Sequence, residues 1–403
     1  MPEFDIARYV QPGDGVVWGQ ACAEPVALVE TFLAGRNAYP GARVFLGIGY
    51  AGTVRAEHAD RLRFVSYCAS GTNRALVEAG AVDILPVPYS RLGAALRSGA
   101  LRADVLLVQV SPPNARGEYS LGLAADYLAP ALDVCRTVIA EVNEHVPWTY
   151  SEPVLTRDRF AACFASSRAP VEAPPAQAEA RARAIAQHAL GCIPAGATVE
   201  AGIGGLPDAV LAALPPERVA RLHTGALGDG AIALLESGIA ADCALVCGSR
   251  ALHAAVRENP NVRLRSCEYT HDAAVLGGIA RFTAINAAVE VDLTGQINAE
   301  VAAGRYVGAV GGALDFVRAA NRSPGGISLT LVPAERIVAQ LCGPVTVPRS
   351  EAGLVVTEYG VADLREASLR ERAQRLIAIA APERRDALQH AARTAGLAWA
   401  VRY

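Results

Sequence analysis

The fold is decided by one stretch, which reads Pro194-Ala195-Gly196-Ala197-Thr198-Val199-Glu200-Ala201-Gly202-Ile203-Gly204-Gly205-Leu206-Pro207-Asp208-Ala209-Val210. It predicts a turn, a short buried strand, a glycine-rich loop and a helix with Pro207 near its first turn. The third glycine of the Rossmann spacing is missing, so a dinucleotide fingerprint is not indicated and no NAD is expected. Gly202, Gly204 and Gly205 instead leave backbone N–H groups that can face an anion or a carbonyl oxygen.

The same order of elements recurs in the first half of the chain. Residues 12–19 read Pro-Gly-Asp-Gly-Val-Val-Trp-Gly and are followed by Pro25 and the apolar run 26–32. Further runs predict strands or helices by their residue types: strands over 105–110, 137–142, 289–293 and 353–357, and helices over 181–190, 231–238 and 369–381. Such alternation predicts an α/β fold with largely parallel sheets.

We therefore predict two tandem α/β domains related by a pseudo-repeat, with a cleft between them where a small molecule would bind. A segment with three prolines and no apolar periodicity, residues 166–180, divides the chain. The expected boundaries are 1–165 for the first domain, 166–180 for the linker and 181–403 for the second, active-site domain.

Composition excludes several classes of protein. The 403 residues are 52% hydrophobic and carry a net charge of -3, which predicts two globular domains and no nucleic-acid partner. All 37 basic residues are arginine, and the missing lysine excludes Schiff-base aldolases, pyridoxal phosphate (PLP) enzymes and P-loop NTPases. The nine cysteines show no Cys-x-x-Cys pair and are expected to be buried apolar residues, with no metal site. No apolar run is long enough for a membrane span, and we expect a cytoplasmic protein.

Three further blocks carry groups that suit catalysis. Residues 267–272 read Cys-Glu-Tyr-Thr-His-Asp, which places Glu268 close to His271 as a base and its orienting partner. His223 lies in a second block, Arg-Leu-His-Thr-Gly-Ala-Leu-Gly-Asp-Gly, at residues 221–230. The third block holds the pair Gly311 and Gly312, whose N–H groups could form an oxyanion hole.

Taken in order, these blocks resemble the acetyl-CoA hydrolase/transferase family, which contains the 4-hydroxybutyrate, acetate and succinyl-CoA transferases. The resemblance covers nearly the whole chain and rests on residues 110–122, 139–143, 202–210, 284–298 and 356–365. It implies tandem CoA-transferase domains, usually as a homodimer, with coenzyme A bound as an acyl-CoA substrate and a small carboxylic acid as acceptor. It also implies an oxyanion and CoA-binding scaffold, which here would comprise Gly311, Gly312, Gly202, Gly204, Gly205 and His223.

The resemblance also implies a mechanism from which this chain departs. In the family a glutamate attacks the thioester, forms a mixed anhydride and then carries CoA as a glutamyl thioester. That glutamate follows a His-Thr pair, and here His223-Thr224 is followed by Gly225. The family's active-site asparagine is likewise replaced, by His271.

Four functions follow from this departure. The leading one is hydrolysis of an acyl-CoA with His271 as general acid or base, oriented by Glu268 or Asp272. The second is decarboxylation or other carbon–carbon chemistry on a carboxyacyl-CoA. True CoA transfer is the third, and it requires another nucleophile, for which the chain offers Glu268, Glu236, Cys243 or Cys267. The fourth is a non-catalytic CoA-binding protein.

Overall fold

The computed structural model describes residues 4–175 and 180–397. Its strands are β1 (Gly15–Trp18), β2 (Arg43–Leu46), β3 (Arg63–Ser66), β4 (Val82–Ile84), β5 (Val105–Val110), β6 (Thr137–Asn143), β7 (Tyr150–Ser151), β8 (Ala162–Ser166), β9 (Ala197–Ala201), β10 (Val219–Leu227), β11 (Ala241–Val246), β12 (Val262–Leu264), β13 (Phe282–Ala287), β14 (Glu290–Asp292), β15 (Ile297–Asn298), β16 (Val301–Ala302), β17 (Arg305–Tyr306), β18 (Ile327–Leu331), β19 (Ile337–Val338), β20 (Leu354–Thr357) and β21 (Gly360–Asp363).

The helices are α1 (Val26–Ala34), α2 (Asn73–Glu78), α3 (Leu92–Arg97), α4 (Leu128–Val134), α5 (Ala180–Cys192), α6 (Gly205–Ala213), α7 (Ile232–Glu236), α8 (Arg250–Val256), α9 (Cys267–Thr270), α10 (Ala273–Gly277), α11 (Ala313–Arg322), α12 (Leu369–Ile379) and α13 (Arg385–Thr394). Among the described residues, no helix is both long and apolar enough to cross a bilayer.

One compact unit, called unit 1, comprises the described part of Met1–Pro175 together with Gly225–Asp229 and Ala240–Asp272. Its main sheet has the order β4-β3-β2-β1-β5-β6-β8, and all of these neighbours run parallel. Every residue of β5 is buried, as expected for a strand covered on both faces. Unit 1 also holds the parallel strands β11, β12 and β7.

The second unit, unit 2, comprises Ala176–Thr224, Gly230–Ile239 and Ala273–Tyr403, as far as these are described. Its strands follow the order β21-β20-β18-β13-β9-β10, and only the β20–β21 pair among them is antiparallel. β9 therefore lies in the middle of this set, between β13 and β10. An apolar cluster that includes Val291, Val355 and Leu376 forms much of its core.

The structure confirms the predicted α/β class and the strand–loop–helix repeat. β1 is followed by α1, and β9 is followed by α6, as the two matching stretches predict. The predicted linker begins where β8 ends, residues 167–175 have no regular structure, and residues 176–179 lie outside the described residues. The expected domain boundaries stay a prediction. Of the nine free cysteines six are buried, whereas Cys342 is exposed, which corrects the expectation that all are buried.

Candidate functional site

The position at which the resemblance places the nucleophile lies on β10. His223 and Thr224 are buried on this strand, and the half-buried Gly225 follows them directly. The His223 ring packs edge-on against Phe282, with ring centroids 6.2 Å apart. The Thr224 hydroxyl donates to the carbonyl oxygen of Ala201 over 3.0 Å, so the end of β9 lies beside this part of β10. Glycine supplies no side chain here, so position 225 cannot form a covalent intermediate.

His271 ends the short helix α9 in unit 1. Its side chain is 4% exposed, and its Nδ1 lies 2.9 Å from the hydroxyl oxygen of Thr270, a hydrogen bond. Its ring packs on Tyr89, with centroids 4.8 Å apart and an angle of 42° between the planes. The N–H of Cys267 donates to the carbonyl oxygen of Asp126, which fixes the start of the helix. The imidazole is thus held in a defined orientation, as an acid or base requires.

A buried polar network lies behind Tyr89. The Gln20 amide nitrogen donates to the Tyr89 hydroxyl and to Asp126 Oδ2, each over 2.7 Å. The Tyr89 hydroxyl in turn donates to Asp126 Oδ2 over 3.3 Å. Burial raises the pKa of the Asp126 carboxyl to about 6, although the bonds from Gln20 and Tyr89 oppose this. Sequence reasoning missed this network because its members are 37 to 106 residues apart.

Glu268 lies on α9, the helix that His271 follows, but has a different partner. Its two carboxylate oxygens accept hydrogen bonds from Arg97 Nε, over 3.1 Å, and Arg97 Nη2, over 2.7 Å. Arg97 also forms an ion pair with Asp133 at 3.0 Å. These bonds give Glu268 a partner other than His271, so its role as the orienting carboxylate stays a prediction.

The two glycine-rich blocks each lead into a helix of unit 2. Gly204 precedes α6 with φ of 134°, a conformation that favours glycine, and no side chain caps this helix. Gly311 has φ of 55° and Gly312 is the N-cap of α11, also without a side-chain cap. Both helices therefore have a glycine as the N-cap, which has no side chain to cap the first N–H groups.

In unit 1, Glu268 lies on α9 and His271 directly follows this helix. In unit 2, His223 lies on β10 and Gly202 directly follows the neighbouring strand β9. Gly311 and Gly312 lie at a different helix start within unit 2.

Glu200 is a titratable residue of unit 2 that sequence reasoning did not select. It lies on β9 and is 1% exposed. The Asn286 amide nitrogen donates to Glu200 Oε2 over 2.8 Å, and the N–H of Ile285 donates to the same oxygen over 3.2 Å. Burial raises the pKa of the Glu200 carboxyl to about 8. The signal was present in the sequence, because a carboxyl group inside a predicted buried strand needs an explanation.

Two of the cysteines that could replace the missing nucleophile lie in the core. Cys243 and Cys267 are fully buried, and burial raises the pKa of both thiols, which disfavours the reactive thiolate. Throughout residues 4–175 and 180–397, no three His, Cys, Asp or Glu side chains are grouped so as to hold a metal ion.

Two family models match this chain, one in its N-terminal part and one in its C-terminal part. Residues 2–152 match the acetyl-CoA hydrolase/transferase N-terminal domain, and residues 248–392 match the C-terminal domain of the same family. The chain belongs to the acetyl-CoA hydrolase/transferase family. This membership confirms the resemblance inferred from the sequence blocks.

The alignments with individual members of the family extend over almost the whole chain. The 4-hydroxybutyrate coenzyme A transferase of Clostridium kluyveri is 30% identical over 397 residues, covering 93% of this chain and 92% of that protein. The butyryl-CoA:acetate CoA-transferase of Anaerostipes caccae is 29% identical, covering 95% and 93%. Among solved structures, RipA from Yersinia pestis superposes with a TM-score of 0.92 at 27% identity, covering 97% of this chain and 96% of that chain.

Proposed function

We propose that this chain acts on an acyl-CoA thioester without a glutamyl anhydride, most simply by hydrolysis. The observation that carries the proposal is Gly225, which follows the buried His223-Thr224 pair where the family's nucleophilic glutamate would stand. The names of the relatives from Clostridium and Anaerostipes support acyl-CoA as the substrate class.

In this proposal His271 is the general base. Its imidazole removes a proton from water as the water oxygen bonds to the thioester carbonyl carbon, and the carbonyl π pair moves to oxygen. When that pair returns, the carbon–sulfur bond breaks and the CoA thiolate takes the proton back from the imidazolium. The products are a carboxylic acid and CoA. Glu268 contributes by anchoring α9 to Arg97, which holds the helix that ends at His271.

The glycine-rich helix starts supply the binding scaffold. The N–H groups around Gly204 and Gly205, and around Gly311 and Gly312, are proposed to bind oxygen atoms of the acyl-CoA. We also propose a homodimer, which light scattering of the purified protein tests.

True CoA transfer by a cysteine is less well supported. A thiol can exchange with a thioester only as the thiolate, and burial raises the pKa of the Cys243 and Cys267 thiols.

The test is mass spectrometry of the purified protein with a panel of acyl-CoAs, in ¹⁸O-labelled water, with and without acetate. Hydrolysis predicts free CoA and a carboxylic acid that carries one labelled oxygen. Acetyl-CoA that appears only when acetate is present would contradict the proposal and establish transfer. Loss of carbon dioxide from a carboxyacyl-CoA would establish decarboxylation, and binding without turnover would establish a non-catalytic protein.

A further inference from the structure

Glu200 lies at an unusual place for a carboxyl group. β9 is flanked by β13 and β10, and Glu200 pairs with Ala284 in the register of β13. The next residue, Ala201, both donates to and accepts from the Thr224 hydroxyl, over 3.4 Å and 3.0 Å. Glu200 therefore lies at the carboxyl end of a central parallel strand, the edge at which α/β proteins place their ligands.

The backbone after Glu200 is equally restricted. A Cβ atom on Gly202 would lie 2.7 Å from Asn286 Oδ1, so a larger residue here would require Asn286, the residue that binds Glu200, to shift. The glycine-rich turn that precedes α6 begins at this point.

The two oxygens of the Glu200 carboxyl group have different surroundings. Oε2 accepts both hydrogen bonds, one from the Asn286 amide and one from the Ile285 N–H. Among residues 4–175 and 180–397, none donates a hydrogen bond to Oε1. Because Oε2 faces two donors, a proton on this carboxyl group resides on Oε1. Burial raises the pKa of Glu200 to about 8, so that proton is present at neutral pH.

We propose that Glu200 is a catalytic residue whose Oε1–H donates a hydrogen bond to the carbonyl oxygen of the bound acyl-CoA thioester. The inference rests on the proposed function, because it takes acyl-CoA as the substrate. When water bonds to the carbonyl carbon, the π pair moves to the oxygen. The hydrogen bond from Oε1–H then stabilises the resulting oxyanion. The pair returns when the carbon–sulfur bond breaks, and the proton stays on Glu200 throughout. A neutral carboxyl group can act in this way, whereas an ionised one would repel the oxyanion.

Two substitutions of Glu200 distinguish the effect of losing its hydrogen-bond donor from the effect of losing its ionisation. In Glu200→Gln an amide oxygen can accept from Asn286 and Ile285 while the amide nitrogen remains a donor that does not titrate. We expect wild-type kcat to fall about tenfold per pH unit above pH 8, and Glu200→Gln to retain its activity there. Glu200→Met removes the donor and should lower kcat by roughly a hundredfold at pH 7. Glu217→Gln, an exposed glutamate of unit 2, is the matched control and should behave as wild type. If kcat of Glu200→Gln falls above pH 8 as kcat of wild type does, the proposal is overturned.

An infrared measurement needs no turnover and tests the proton directly. The difference spectrum between wild type and Glu200→Gln at pH 6.5 should show the C=O stretch of a protonated carboxylic acid. This band should shift when a non-hydrolysable ketone analogue of acetyl-CoA binds. A missing band, or a band that the bound analogue leaves unchanged, overturns the role of Glu200. If wild type turns over no acyl-CoA, the proposed function fails, and the infrared shift still decides whether Glu200 contacts the thioester carbonyl.

Discussion

Replacing Glu200 with glutamine should make the protein more stable, and increasingly so as the pH rises. In the folded protein this carboxyl group is fully buried, and its pKa rises from 4.5 to about 8 because burial disfavours the charged form. In the unfolded chain the same group titrates near its ordinary value. Between the two values the folded state holds a proton that the unfolded state has released, so stability falls as the pH rises.

The size of the effect follows from the two pKa values. Each pH unit between 4.5 and about 8 removes about 1.4 kcal/mol from the free energy of unfolding. The three units from pH 5 to pH 8 therefore remove about 4 kcal/mol in wild type, a loss that glutamine does not suffer. For a unit of 150–250 residues, each kcal/mol shifts the melting temperature by roughly 2–4 °C.

The assay is thermal unfolding of wild type, Glu200→Gln and Glu217→Gln at pH 5, 6, 7 and 8. Other buried carboxyl groups affect all three proteins alike, so the difference between wild type and Glu200→Gln isolates Glu200. We expect that difference to widen by roughly 8–16 °C from pH 5 to pH 8. The Glu217→Gln curve should follow wild type. Parallel curves for wild type and Glu200→Gln would refute the assignment of a raised pKa to Glu200.

The remaining predictions concern the groups around the proposed chemistry. His271→Asn should lower the rate of thioester hydrolysis by roughly 10²–10⁴-fold, and an unaffected rate would remove His271 from the mechanism. Gly225→Glu should yield acetyl-CoA from another acyl-CoA when acetate is added. A folded, CoA-binding variant without this exchange would contradict the assignment of position 225 to the family's nucleophilic glutamate. Tyr89→Phe keeps the ring against His271 but leaves Gln20 and Asp126 without the hydroxyl, so urea titration should show a loss of about 1–3 kcal/mol with kcat nearly unchanged. Tyr89→Leu also loses the ring and should lower kcat, and equal kcat values for the two variants would exclude a positioning role for Tyr89.

Local patterns allowed much of the fold to be predicted. Strand β5 and helix α12 begin at the predicted residues, because a continuous β-branched run and an amphipathic arginine-rich stretch each specify their structure locally. The turn before α6 could also be predicted from its glycines, because only glycine readily adopts a φ such as the 134° found at Gly204.

The contacts of the candidate site could not be predicted in the same way. The sequence places Glu268 near His271, but it does not show that the Glu268 carboxylate binds Arg97, which is 171 residues away. Likewise, Glu200 Oε2 accepts a hydrogen bond from the amide nitrogen of Asn286, which is 86 residues further along the chain. Distant partners of this kind become neighbours only when the strands take their order in the sheet, and the sequence pattern does not specify them.

The buried carboxyl groups bear on which chemistry this chain performs. Burial raises the pKa of Asp126 to about 6, of Glu24 to about 7 and of Glu200 to about 8. A carboxyl group that forms an anhydride must be ionised, so a transfer reaction that used one of these groups as nucleophile would become faster as the pH rises through its pKa. Hydrolysis assisted by a neutral Glu200 would become slower above pH 8. The direction of the pH dependence on the alkaline side therefore distinguishes a hidden nucleophilic carboxylate from the proposed hydrogen-bond donor.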